Sequence, residues 1–229
     1  MQAGDSTISV GIWDGIVEKD FRNPHRQESF KTRSVCEDCN KGWMSQLEAE
    51  FLELAGPLIE PTWPLSAEEL IEKALCQSAV LARWAVKTAI TVNAAGISKR
   101  SINSQIATDV RVNKLPPGLG VLIAFIKKKE IAVTIHPGFF FVTKKGERKW
   151  RVGDKGHTFD AILQLNHLAI RAINGPDFKL FKYKTGSEAR PIPYYPATNH
   201  RFSPDYRFQT LSEFEGDLRV MWPHDAEPG

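Results

Sequence analysis

Cysteine is scarce in this chain: there are three in 229 residues, and two of them, Cys36 and Cys39, sit three positions apart. An odd count with a single CxxC makes a poor disulfide framework, so a reducing compartment is expected. No stretch approaches the roughly 18 uncharged apolar residues of a membrane span. The most apolar segment, near 74–95, is interrupted by Arg83 and Lys87. The opening MQAGDSTISVGIWDG has no basic region followed by an apolar run, so no signal peptide is expected. Strong charge of one sign is missing too. The net charge of +3 falls short of the bias that by itself points to nucleic acid. There are no internal repeats. These absences predict a soluble, cytoplasmic protein with no membrane partner.

What is present is an ordinary globular composition, 42% apolar and 25% charged, on a chain long enough for a substantial core. Residues 7–13, TISVGIW, alternate and predict a short strand. A polar loop follows over 18–27, and 28–35 predict a second strand leading into Cys36. Beyond Cys39, Trp43, Met44, Leu47, Phe51, Leu52 and Leu54 recur at helical spacing, and Gly56-Pro57 is the expected stop. Pro61 to Pro64 read as a linker, and Ser66-Ala-Glu-Glu69 as a capping box opening a second helix that ends near Gly96. That helix is apolar nearly all round, which predicts central burial.

From about 119 the pattern becomes β-branched and aromatic, punctuated by KKK, HPG and KKGE. It predicts an antiparallel meander over 119–127, 130–136, 138–144 and 148–152. Residues 157–173 read as one long strand or a helix, and 178–184 as a strand. The Pro-rich 185–201 reads as a surface connection, Ser203-Pro204 as a short helix start, and 218–223 as a last strand.

A CxxC at a strand-to-helix turn has a specific physical use. Two thiolates two residues apart can face one ion, and the backbone N–H groups of the turn stabilise their charge. Tetrahedral zinc takes four ligands, commonly as two such pairs. Only one pair exists here, because Cys76 lies inside the apolar helix, so further ligands would be histidines or acids, with His25 nearest in sequence. Two plain thiols without metal, or a redox pair, are the alternatives; the redox reading lacks its usual βαβ setting.

The string Val35-Cys36-Glu-Asp-Cys39-Asn40-Lys-Gly42-Trp43-Met44-Ser45-Gln-Leu47-Glu48 resembles the second half of the ββα-metal motif in a group of bacterial HNH-endonuclease-like proteins, which carry CxxCNxGWMSxLE. The resemblance extends to Leu81-Ala-Arg-Trp84-Ala-Val-Lys87-Thr-Ala and to Met221-Trp222-Pro223. It implies a structural zinc held by Cys36 and Cys39 with an upstream pair. It implies a catalytic magnesium or manganese ion held partly by Asn40, and an upstream acid–His–Pro segment supplying the base that deprotonates water for phosphodiester hydrolysis. No cysteine precedes Cys36, and the single upstream histidine, His25 in NPHRQ, departs from the acid–His–Pro pattern. The chain thus resembles the family without the N-terminal half of its motif, by truncation or degeneration.

Elsewhere, Trp43, Met44 and Leu47 fit a core stripe better than a partner-binding one. Arg83 and Lys87, four apart, share a helix face that either contacts phosphate or is a solvated edge. Lys127, Lys128, Lys129, Lys144, Lys145, Arg148, Lys149 and Arg151 interleave with Phe139, Phe140, Phe141 and Trp150, a pattern that can hold a nucleic-acid backbone or simply keep turns soluble. His136, His157, His167 and His200 show no ligand spacing, and Asp160 and His167 define no site by themselves.

The combined expectation is an α+β fold. A small strand–CxxC knuckle–helix module (a partial ββα-metal unit) over 1–60 precedes an α+β domain over 61–229 with a long buried helix and an antiparallel sheet. The expected function is nucleic-acid binding of HNH-endonuclease type. His25 and Asn40 are the catalytic candidates, Cys36, Cys39 and Asn40 the metal ligands, and Arg83, Lys87, Lys144, Lys145, Arg148 and Lys149 the nucleic-acid contacts. The alternative is a non-catalytic DNA- or protein-binding module whose knuckle is only structural. An enzyme of another class built on the α+β domain is a third possibility, with no chemistry named by the sequence.

Overall fold

Strand Leu119–His136 organises the rest of the chain. A computed structural model describes residues 7–14, 17–20, 25–26, 35–60, 77–95, 102–136, 138–142, 148–152, 158–175, 192–195, 208–217 and 220–221. In order, the elements are β1 Thr7–Asp14, β2 Val17–Asp20, β3 His25–Arg26, α1 Glu37–Cys39 and a π-helical segment Asn40–Met44. Next come α2 Ser45–Ile59, α3 Ser78–Ala95, α4 Ser104–Arg111, β4 Leu119–His136, β5 Gly138–Val142 and β6 Arg148–Val152. The last are β7 Phe159–Asn174, β8 Ile192–Tyr195, α5 Leu211–Asp217 and β9 Val220–Met221. Of β1–β3, β5, β6, β8 and β9 only the backbone is described.

The fold is α+β: α2, α3 and α4 pack on one face of a six-stranded sheet ordered β2-β1-β4-β7, in which β3 joins β1 and β8 joins β4, and α5 packs on the other face. A second, three-stranded sheet runs β6-β5-β9. The pairs β4–β7, β4–β8, β5–β6 and β1–β2 are antiparallel. The sheets are nevertheless mixed, because β1 runs parallel to β4 and β9 parallel to β5. Both parallel pairs join strands far apart in sequence, and a long connection gives the chain room to re-enter in the same direction.

The stretch 119–126 is buried without interruption, since both faces of this part of β4 are covered. Val121, Ile123 and Phe125 join the helix-side core with Leu47, Phe51, Leu81 and Ala85. Leu122, Ala124 and Ile126 face the other way, against Phe208 and Phe214. Such double burial explains an unbroken hydrophobic run where a half-exposed strand would alternate. Residues from both sides of position 61 share the helix-side core, since α2 packs there beside α3 and β7.

The KKK at 127–129 is not a hairpin turn. Both arms of β4 pair with the same partner, β7, and the register slips between Phe125 and Glu130. Lys127, Lys128 and Lys129 bulge out exposed. The slip is held from β7: Gln164 Nε2 donates to Lys128 O and Asn166 O, both at 2.7 Å, and His167 Nδ1 hydrogen-bonds Ile126 O at 2.9 Å. Asn166 takes the left-handed conformation, φ 52°, that side-chain amides tolerate. The ambiguous segment at 157–173 is therefore a strand, and a bent one. Asp160 and Arg171 are eleven positions apart on it, which would separate them by roughly 36 Å if extended. Instead, Arg171 Nε and Nη2 donate to the two Asp160 oxygens at 2.9 and 2.5 Å, with both residues buried.

Helix α2 continues past Gly56-Pro57 to Ile59, because Leu58 is fully buried. Its burial is worth about 1.5–3 kcal/mol, which offsets a proline placed in the last turn. Leu52, which fitted the helical spacing, is exposed; it lies more than a third of a turn off the face made by Leu47, Phe51, Leu54 and Leu58. The Pro-rich segment contains strand β8, and a helix begins at Leu211; the helix start expected at Ser203-Pro204 lies outside the described residues. The strand at 178–184, the linker and capping box at 61–69, Cys76, most of the strand at 28–35, and Trp222-Pro223 lie outside the described residues. Among the described residues no helix is long and apolar enough to cross a membrane.

Candidate functional site

The dithiol turn begins where Cys36 leaves extended backbone (φ −68°, ψ 153°) and caps the helix that follows. Its Sγ accepts the backbone N–H of Cys39 at 3.3 Å, and Asn40 N–H donates to Cys36 O at 3.0 Å, closing the first turn. Glu37 and Asp38 occupy that turn, where the helix dipole favours acids. The Cys39 side chain and then its backbone N–H, both hydrogen-bonded to Cys36, hold the Cys36 thiol below the usual pKa. The same contact with Cys36, followed by burial, pushes the Cys39 thiol up. The two thiols are therefore inequivalent, Cys36 being the more acidic of the pair.

Gly42 breaks the regular helix (φ −93°, ψ −118°). The break aims Trp43 and Met44 at the neighbouring helices, where Met44 is buried. The Trp43 indole N–H is buried with no aligned hydrogen-bond acceptor, yet it stands by Cys39 and counters the rise of that thiol.

Val35, Cys36, Cys39, Trp43 and Met44 form one wall of a cavity of about 340 Å³; Lys87, Ile90, Thr91 and Ala94 of α3 and Ala107, Thr108, Val110 and Arg111 of α4 form the rest. Arg111 lowers the pKa of both cysteines, which places its positive charge near the sulfurs. Helix α4 was not anticipated. Its signals were Asn103, whose side chain accepts Gln105 N–H at 2.8 Å, and the buried pair Ile106 and Val110 one turn apart. Nothing in the local sequence connects Arg111 to the cysteines 70-odd positions earlier; tertiary packing alone does so.

The two segments that carry the HNH resemblance meet. Glu48 accepts Trp84 Nε1–H at 2.8 Å and pairs with Lys87 Nζ, and Phe51 stacks on Trp84 with centroids 3.6 Å apart and planes 5° from parallel. Lys87 is 6% exposed and lies 5.6 Å from the Trp84 ring centroid. Arg83 caps α4, donating to Val110 O at 2.9 Å and Arg111 O at 3.2 Å, and lies 5.3 Å from the Trp43 ring centroid. Both cations thus have internal partners and fasten α2, α3 and α4 to one another.

Asn40 is exposed on the first turn, next to the dithiol. His25 is in β3, paired through Ile8 with β1, and Arg148 and Lys149 are in β6; only their backbones are described. Lys144 and Lys145 lie outside the described residues. Cys36 and Cys39 supply two of the four ligands of tetrahedral zinc. Among the described residues no group of three or more His, Cys, Asp or Glu is placed to hold a metal ion. No protein-family model, curated protein or solved structure matches the chain.

Proposed function

We propose that the chain is an HNH-endonuclease-like nucleic-acid-binding protein whose Cys36–Cys39 turn is half of a zinc knuckle. The observation that carries this reading is the turn itself. One sulfur accepts a backbone N–H at the head of a helix, both sulfurs stand on one wall of a cavity, and an exposed Asn40 follows directly. A thiol made more acidic by its hydrogen bonds with Cys39 is a better-prepared metal ligand. Asn40 would hold a divalent ion in this reading, and His25 is the candidate base. Arg148 and Lys149, with Lys144 and Lys145, are the candidate backbone contacts.

A second reading, a non-catalytic module with a structural knuckle, is favoured by a separate observation. Arg83 and Lys87, the cations nearest the knuckle in the resemblance, are engaged inside the protein. Metal content and DNA binding test both. Zinc measured on purified protein should fall in Cys36→Ser and Cys39→Ser, and a DNA mobility shift should weaken steeply with salt. Plasmid cleavage with manganese that is lost in Asn40→Ala supports the enzyme; a salt-sensitive shift without cleavage supports the module. Protein without zinc and without a shift overturns both.

A further inference from the structure

Away from the two cysteines, the cavity beside the dithiol is lined by apolar side chains and an exposed guanidinium, which the zinc reading does not use. We propose that it binds a small monocarboxylic acid with an apolar, flat or short-chain body. The carboxylate would sit on Arg111 and the body between α3 and α4. The volume of about 340 Å³ lies within the roughly 300–1,000 Å³ span of small-molecule sites. The walls contributed by Met44, Ile90, Ala94, Ala107 and Val110 are apolar, which suits a hydrocarbon body and excludes a sugar or nucleotide.

The polar groups narrow the choice further. Thr91 donates its hydroxyl to Lys87 O at 2.9 Å, and Thr108 donates to Ser104 O at 3.3 Å. Lys87 is neutralised by Glu48. Each of these is committed to the protein. Arg111 is not: it lines the cavity, is exposed, and among the described residues its guanidinium has no hydrogen bond or ion pair. An unpaired guanidinium at the edge of an apolar cavity selects an anion that accepts in its plane, which a carboxylate does with two oxygens. The small Ala94 and Ala107 side chains are what leave the space open.

Hydrocinnamate and its uncharged amide are suitable probes, titrated into the full chain by calorimetry and followed by two-dimensional NMR. Saturable binding of hydrocinnamate is expected, with shifts confined to α3, α4 and residues 36–44. The amide should bind about tenfold more weakly, and Arg111→Ala should bring the acid down to the level of the amide, since a charge-assisted hydrogen bond is lost. Filling the space with Ala107→Phe should abolish binding of both. Ala94→Leu provides a second filled variant should Ala107→Phe melt at a lower temperature than the native chain. Equal affinity for acid and amide overturns the proposal, as does undiminished binding by a folded, filled variant or no saturable binding at millimolar probe. The probe contains no phosphate or metal, so its result is independent of the zinc and nucleic-acid reading.

Discussion

Glu48 on α2 accepts the indole N–H of Trp84 on α3 at 2.8 Å while its other oxygen holds the ammonium of Lys87. One carboxylate thus closes two contacts between segments 36 positions apart. Glu48→Ala strands a buried donor and a nearly buried cation. Because Glu48 is itself 44% exposed, water can partly replace it, so the expected loss is about 1–2 kcal/mol. Lys87→Met removes the charge but keeps the packing and should cost less. Urea denaturation of the two variants checks the order; a Glu48→Ala midpoint equal to that of the native chain would rule out the tie.

The Asp160–Arg171 pair holds the bend of β7 and is fully enclosed. Asp160→Ala takes the bidentate acceptor away from a buried guanidinium and should cost about 3–5 kcal/mol. The apolar double replacement Asp160→Leu with Arg171→Met should recover much of that loss. Equilibrium unfolding of the single and double variants separates the two effects, and a double variant no more stable than Asp160→Ala contradicts this account.

Where the β4–β7 ribbon begins, Gly175 N–H donates to Gly118 O at 3.2 Å. A Cβ on Gly118 would fall 1.9 Å from Gly175 O, against backbone that cannot step aside. Gly118→Ala should therefore destabilise by about 1–3 kcal/mol. Gly42→Ala meets no atom within 4 Å and serves as the contrast, with a far smaller change in midpoint.

Lys129 hydrogen-bonds Glu60 and lowers its carboxyl pKa; Asn166 and the nearby His167 charge act in the same direction, against desolvation. A depressed pKa means that the contribution is present above the unfolded carboxylate pKa and fades as pH falls through the folded one. The stability gap between the native chain and Lys129→Ala should be visible near neutral pH and shrink in acid, as the pH falls through the depressed carboxyl pKa. Both side chains are more than half exposed, so added salt should narrow the gap as well. Denaturant midpoints at neutral and acidic pH measure it; a gap that widens in acid contradicts the sign.

The first turn of the knuckle, Glu37–Cys39, buries no side chain. In the absence of metal, replacing both cysteines by serine should lower stability by less than about 1 kcal/mol. Thermal unfolding with and without a chelator then reports any metal contribution directly: a shift in the native chain that is missing from the double variant is expected if zinc binds.

Elements with a local cause were legible. The helix after Cys39 follows from apolar residues recurring at 3.6-residue spacing, β1 from period-two alternation, the β5–β6 hairpin from aromatic runs between turn signals, and the dithiol turn from its spacing. Where the sequence misled, a distant partner intervened. KKK reads as a turn from composition, but the two arms pair with β7, and Gln164 and His167 hold the bulge from across the sheet. Residues 157–173 read equally as helix or strand because both faces are buried, which erases the period that tells them apart.

The candidate site divides in the same way. Sequence alone determined that two thiols stand two residues apart at a helix head and that Asn40 follows them, because spacing along the backbone is enough to place neighbours. Tertiary structure alone decided which cations are occupied. Burial beneath α2 directs Lys87 to Glu48, the end of α4 takes up Arg83, and among the described residues Arg111 has no side-chain partner at the cavity beside the sulfurs. A charge carries no local sign of its partner; what neutralises it depends on which elements pack together, and that packing is set by the buried apolar faces of helices and strands distant in sequence.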